Sequence, residues 1–165
     1  MKTPAFEAQT TVPSPLGPLT LAATRRGLAL AWFDRQQHRS EEVDAPEDAA
    51  HPHLVQAARE LQAYWQDSRT PFTVPLDPQG TPFQQAVWRV LCGIASGRTS
   101  TYGDVAQRIG KAAAVRAVGA AIGRNPIGII VPCHRVIGRN GSLTGYAGGL
   151  PRKEELLRRE GVLLT

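Results

Sequence analysis

Cys133 and His134 stand side by side in the run Val131-Pro132-Cys133-His134-Arg135-Val136. A thiol attacks only as the thiolate, and a free pKa near ~8.5 leaves little of it ionised at neutral pH. A neighbouring base or cation raises that fraction and makes sulfur a nucleophile. Pro132 restricts the backbone that leads into the cysteine. The alternative is an inert, buried thiol, since free cysteine is among the most buried residue types. The adjacent histidine favours the nucleophile. The second cysteine, Cys92, closes an apolar stretch and reads as core filler. Two cysteines make no disulfide framework, so both are expected to be reduced, as in a cytoplasmic protein.

The charge of the chain is uneven. Of its 165 residues, the first 80 carry seven Lys and Arg against ten Asp and Glu, a net of −3. The remainder carries twelve against four, a net of +8, and ten of those twelve are Arg. A basic half beside an acidic one points to a polyanionic partner, and arginine suits bidentate phosphate contacts. The alternative is ordinary surface asymmetry. No apolar run approaches the ~18 residues that span a bilayer. The start of the chain has no apolar leader, which again predicts a cytoplasmic location. The only local histidine cluster, His51-Pro52-His53, lacks the paired cysteines of a structural zinc site, so no metal is expected.

Elements must position these residues. Residues 16–33 read as a β-hairpin, with Leu19 and Leu21, then Leu28, Leu30 and Trp32, alternating about a turn at Arg25-Arg26-Gly27. Residues 34–52 read as loop. Residues 53–65 have helical spacing in Leu54, Ala57, Ala58, Leu61, Tyr64 and Trp65. Phe72, Val74 and Leu76 alternate as a third strand. Asp77-Pro78-Gln79-Gly80 marks a boundary, giving an α/β domain over 1–78 and a second domain over 79–165.

In the second domain, Thr81-Pro82-Phe83-Gln84 announces a helix with a capping box and an apolar side of Val87, Trp88, Val90 and Leu91. Thr101 to Gly110 reads as a short helix, and residues 112–123 as another after a tight turn. The second of these carries Ala112, Ala113, Ala114, Val115, Arg116, Ala117, Val118, Gly119 and Ala120. It lacks the Asn, Gln and multiple Arg that read major-groove edges. Small side chains let a backbone approach the minor groove closely; the alternative is tight packing in a core. Arg116 argues against full burial. A last helix runs from Pro151 to Glu160, with Leu156 and Leu157 facing inward and Lys153, Arg158 and Arg159 facing solvent or phosphate.

Pro-Cys-His-Arg-Val, preceded by Asn125-Pro126 and followed by Thr144-Gly145-Tyr146-Ala147-Gly148-Gly149-Leu150, resembles the O6-alkylguanine-DNA alkyltransferases of bacterial type. The likeness runs from about residue 81 to 161; before it, only Ser14-Pro15-Leu16-Gly17-Pro18-Leu19 resembles the family. The resemblance implies an α+β protein of two domains. The first would be RNase H-like, with a three-stranded antiparallel sheet and a helix. The second would be mostly helical, with a winged helix-turn-helix. It implies a Cys-water-His-Glu chain in which Cys133 is the nucleophile, His134 the base and Glu160 the residue that orients the imidazole. It implies that Arg116 enters the base stack from the minor groove, while Tyr102 turns the target nucleotide and protonates the purine. Ala114, Ala117, Gly119 and Ala120 would lie along the DNA. Asn125 would be a hinge, and Val136, Tyr146, Ala147 and Gly148 would line the pocket. Gly128, where some members have proline, would leave that pocket roomy.

The implied activity is direct-reversal repair. An alkyl group passes from O6-alkylguanine in double-stranded DNA, or from O4-alkylthymine, to Cys133, once per molecule and without a cofactor. The base must first be flipped from the duplex. The protein would act as a monomer with little sequence preference; whether copies cluster on DNA is left open. Two rivals remain at this point: a DNA-binding module using the same helix pair, and a Cys-His hydrolase of small acyl substrates. The first lacks base readers on its second helix, and the second leaves the basic half unexplained.

Overall fold

The computed structural model describes residues 6–37 and 42–162; the first five residues, read above for a leader, lie outside them. Strands β1 (Ala8–Val12), β2 (Leu19–Ala23) and β3 (Leu28–Phe33) form an antiparallel sheet in that order. Helix α1 (Pro52–Gln66) covers one face with Leu54, Ala57, Leu61 and Tyr64. His51 caps α1, its ring nitrogen accepting from His53 N. His51 and His53 thus shape a helix start, and among the described residues no three His, Cys, Asp or Glu gather to hold a metal.

The third strand is β1, not residues 72–76. The core-facing residues of β1 are Ala8, Thr10 and the partly buried Val12, and the first two are too small or polar to print an apolar alternation. Residues 72–76 contribute a single bridge, Leu76 to Leu28. They are held instead by Glu60 of α1, which accepts from Thr73 N, Thr73 Oγ1 and Val74 N at 2.8–3.0 Å. The expected alternation of β3 also fails. A bulge at Ala22/Ala23 shifts the register, so Leu28, Ala31 and Phe33 enter the main core while Ala29 and Leu30 join a second cluster with Phe6 and Ala22.

The outer edge of β3 is closed by both halves of the chain. Leu28 N–H donates to Pro75 O, and Ala31 exchanges bonds with Pro126 O and Gly128 N at 2.9 and 3.0 Å. An open edge would invite foreign strands; here it fixes the segment that leads to Cys133.

The second half holds α2 (Pro82–Cys92), β4 (Ser100–Thr101), α3 (Tyr102–Arg108), α4 (Val115–Gly123), a 3-10 turn (Cys133–Arg135), β5 (Val136–Ile137) and α5 (Leu150–Arg159). The capping box of α2 is formed: Thr81 Oγ1 accepts from Gln84 N, and Gln84 Oε1 from Thr81 N. Thr101 caps α3, and Gly110 at φ 73 ends it. Lys111 N–H then reaches back to Ala106 O and Gly110 N–H to Gln107 O, closing a Schellman turn. A second turn follows, closed by Ala114 N–H to Lys111 O at 2.8 Å, so α4 begins at Val115 rather than 112, with Ala114 as its N-cap. Trp88 Nε1 donates to Ala121 O at 2.8 Å and docks α4 on α2. The winged element is small, a parallel pairing of β4 with β5. No described helix is long and apolar enough to cross a membrane.

Candidate active site

Asn125 builds the approach to the thiol. It follows α4 and is buried. Its amide nitrogen donates to Val131 O at 2.8 Å and Ile127 O at 3.3 Å, and its oxygen accepts from Ile127 N at 3.0 Å. These bonds pin a turn in which Ile129 takes φ 71, a left-handed conformation that a β-branched residue rarely adopts. Burial of Ile127, Ile129, Ile130 and Val131 helps hold it there. Cys133 follows at the start of the 3-10 turn, its N–H donating to Val131 O.

Cys133 is 8% exposed. Burial pushes its thiol pKa up; the Asn125 side chain, the Lys153 ammonium and its own amide act against that rise. The free protein therefore stores the sulfur mainly as a thiol.

His134 is wholly buried, and burial holds its pKa below the usual value. Its Nε2 lies 2.9 Å from Glu160 Oε2. Glu160 also accepts from Arg135 Nε and Nη2 at 2.8 and 2.9 Å and from Tyr64 Oη at 2.5 Å. Against the cost of burial, these donors lower its pKa to about 2. An ionised carboxylate only accepts, so Nε2 must carry the proton. In the neutral ring that leaves the lone pair on Nδ1, which has no hydrogen-bond partner among the described residues. The arrangement is a buried base whose tautomer is set by a carboxylate, beside a thiol in sequence.

Lys153 corrects an expectation. It is completely buried rather than solvent-facing, with Nζ donating to Val136 O at 2.6 Å and Thr144 O at 2.8 Å. Burial lowers its pKa to about 8, and the Cys133 sulfur, once ionised, opposes that shift. Two carbonyls satisfy the ammonium, so its burial costs less than that of a bare charge.

A cleft of about 180 Å³ lies beside α3 and α4, lined by Gln37, Tyr102, Gly119, Ile122, Gly123, Gly145, Tyr146 and Ala147. Tyr102 donates to or accepts from Thr144 Oγ1 at 2.7 Å, and its ring lies alongside Gly119. Tyr146 presents part of its ring to the cleft. Burial raises its hydroxyl pKa well above the usual value, with Cys133 adding to the rise. Gly148 must be glycine: a Cβ there would sit 2.7 Å from Tyr146 Cε2 and 3.1 Å from Phe33. Ala147 O accepts from Gln37 N at 2.9 Å.

Two residues expected at the pocket are buried and do not line this cleft. Val136 is fully buried in β5, where its carbonyl receives Lys153. Gly128 is buried against Ala31 O and does not itself line this cleft, but a Cβ there would come 3.9 Å from the hydroxyl of Tyr146, which does. Cys92 is exposed rather than core filler. It opens into a separate crevice with Ser96, Pro132 and Arg135. Arg116, Ala117 and Ala120 are exposed on α4, Ala114 and Gly119 half-buried, while Val118, Ala121 and Ile122 pack inward.

A family model described as 6-O-methylguanine DNA methyltransferase, ribonuclease-like domain, matches residues 8–78. A second, 6-O-methylguanine DNA methyltransferase, DNA binding domain, matches residues 82–162. The chain belongs to this family. Methylated-DNA–protein-cysteine methyltransferase of Methanosarcina acetivorans is 48% identical over 90% of this chain and 94% of that protein. The protein of the same name from Mycobacterium tuberculosis is 47% identical over 91% and 90%. The crystal structure of Mycobacterium tuberculosis OGT in complex with DNA superposes with a TM-score of 0.83 at 46% identity, covering 93% of this chain and 92% of that one.

In this 6-O-methylguanine DNA methyltransferase family member, sequence reading overlooked four polar residues around the site. Patterning assigns Lys153 to solvent or phosphate, and it gives Arg135 no role beyond its place in the Pro-Cys-His-Arg-Val run. Tyr64 looks like one more apolar position of α1. Arg152 ties the halves together, donating to Leu16 O, Asp34 O, Gly148 O and Asp34 Oδ1 while lying 4.4 Å over the Phe33 ring. No spacing rule reveals these partners, which are up to 136 positions apart.

Proposed function

We propose that this protein repairs DNA by direct reversal, moving the alkyl group of O6-alkylguanine irreversibly onto Cys133. The buried His134–Glu160 pair, whose histidine directly follows Cys133 in the chain, carries the reading, supported by relatives named for this activity at 47–48% identity. Sulfur forms a bond to the alkyl carbon as the bond from that carbon to O6 breaks. The thiol proton passes to His134 Nδ1 through a water molecule. Guanine takes a proton from the Tyr102 hydroxyl and regains its N–H and carbonyl, and His134 returns the balancing proton. Glu160 stabilises the imidazolium that forms between.

The DNA partner is double-stranded and bound with little sequence preference. The exposed small residues of α4, Ala117 and Ala120, leave room for close approach to the minor groove, and Arg116 fills the stack as the base leaves it. Gly119, beside Tyr102, and Asn125, behind the thiol, shape the route between DNA and sulfur. The protein acts as a monomer in the cytoplasm, where such DNA lies. A thioether has no easy leaving group, and Cys92 ends α2 in a crevice whose lining does not include Cys133, so each molecule reacts once.

The test is incubation with duplex DNA carrying O6-methylguanine, followed by mass spectrometry. One added methylene on the peptide containing Cys133, absent in Cys133→Ser, is expected. Repeated turnover, or methylation elsewhere, would overturn the assignment.

A further inference from the structure

We infer that Tyr64, a residue of the ribonuclease-like half, is a positioning residue for the alkyl transfer: its hydroxyl shares Glu160 Oε2 with His134 and limits how strongly the carboxylate holds the imidazole proton. The inference deepens the proposed function and rests on it.

Tyr64 Oη lies 2.5 Å from Glu160 Oε2, a bond between residues 96 positions apart. Both are buried, Tyr64 to 1% exposure. Such a short O–H···O⁻ contact is charge-assisted, about twice as strong as a neutral bond. The phenol cannot be a spectator anion: burial and the adjacent carboxylate raise its pKa, keeping it a donor. The ring is fixed by Trp65, edge-on at 5.1 Å between centroids, and by Phe72 at 5.6 Å. Two further contacts hold the end of α1 on the end of α5: Ser68 Oγ donates to Arg159 O at 3.0 Å, and the Arg159 guanidinium lies 5.6 Å from the Trp65 centroid.

The groups around His134 divide by sign. Glu160 favours the imidazolium, whereas Arg135 and Lys153 oppose it. Cys133 precedes it in the chain, and Tyr146 stays neutral nearby in the network of Cys133, Tyr64 and Glu160. Tyr64 acts on the one favourable partner. A donor on Oε2 spreads the charge that His134 Nε2–H faces, so the imidazolium is stabilised less and the resting thiol is kept protonated. Removing the hydroxyl leaves Glu160 ionised, because Arg135 still donates two bonds. His134 then becomes more basic.

Single-turnover methyl transfer from duplex DNA is measured against pH for the native protein and Tyr64→Phe, with ¹⁵N NMR titration of the His134 imidazole. Tyr64→Phe is expected to move the acid limb of the rate profile, and the imidazole titration, upward by roughly 0.5–1 pH unit. An unshifted imidazole overturns the role of Tyr64, even if the rate falls uniformly. A native protein that transfers no methyl overturns the transfer reading itself, and the two failures are distinguishable because the titration needs no substrate. Should Tyr64→Phe not fold, the native protein still decides: an exchange-protected, strongly downfield Tyr64 hydroxyl proton is expected, and its absence refutes the inference.

Discussion

Arg135 grips Glu160 with two contacts, Nε to Oε1 at 2.8 Å and Nη2 to Oε2 at 2.9 Å, while Arg135 Nη1 donates to Ile94 O at 2.5 Å. The guanidinium is thereby spent on a buried carboxylate rather than on a phosphate. Its effect is to keep Glu160 ionised, and an ionised Glu160 dictates which nitrogen of His134 bears the proton.

Acid stability follows from that pair. The pKa of Glu160 falls from 4.5 to about 2 on folding. A depressed carboxylate adds stability that is complete above its unfolded pKa and disappears as pH falls through the folded one. The loss lies between about pH 4.5 and 2 and amounts to about 3 kcal/mol, shared with its partners. Glu160→Gln should remove that pH dependence. At pH 7 it should cost about 3–5 kcal/mol, because Arg135 keeps a buried, unpaired charge. Urea unfolding at neutral and acid pH checks both.

The two thiols should differ in the opposite sense to their importance. Burial raises the pKa of both thiols, so access separates them: Cys92 is exposed and Cys133 is buried. Without DNA, an aromatic disulfide reagent should modify Cys92 at least about tenfold faster than Cys133. Cys92→Ser should abolish the fast phase and leave methyl transfer intact. A single phase that survives Cys92→Ser would contradict the burial of Cys133.

Lys153→Met should weaken the thiol's reactivity. The substitution removes the cation that favours the Cys133 thiolate and strands the carbonyls of Val136 and Thr144. In a Cys92→Ser background, alkylation of Cys133 by iodoacetamide at pH 8 should slow about threefold to tenfold. The folded pKa of Lys153, about 8 against 10.5, means that the native fold gains stability as pH rises from about 8 to 10.5. The variant should lack that gain.

Arg116→Ala separates base extrusion from chemistry. Arg116 is exposed on α4 and is not part of the relay that includes Cys133. Transfer from O6-methylguanine in duplex DNA should slow about tenfold or more, whereas transfer from the free base should be unchanged. Equal loss on both would assign Arg116 to folding. The salt dependence of duplex binding should also flatten if the guanidinium meets phosphate.

Local features were legible because they depend on neighbours in the chain. The capping box at Thr81, the glycine stop at Gly110 and the apolar stripe of α1 involve residues within a few positions, where backbone sterics and helical spacing act directly. The misreadings arose where a tertiary partner overrode a local pattern. Ala8 and Thr10 make a strand because β2 pairs with them, and residues 72–76 do not because Glu60 takes their backbone donors.

The sequence by itself determined that Cys133 adjoins His134, the helix pair before them, and the charge difference between halves. It also carried a family likeness strong enough to propose Glu160. Only the tertiary structure decided which charges are buried. Lys153 and Arg135 look solvated in any linear reading, yet each finds carbonyl or carboxylate acceptors from distant segments. Tyr64 reaches Glu160 across the chain for the same reason. Burying a polar group is tolerable only when partners converge on it, and that convergence exists only once the two halves have packed together.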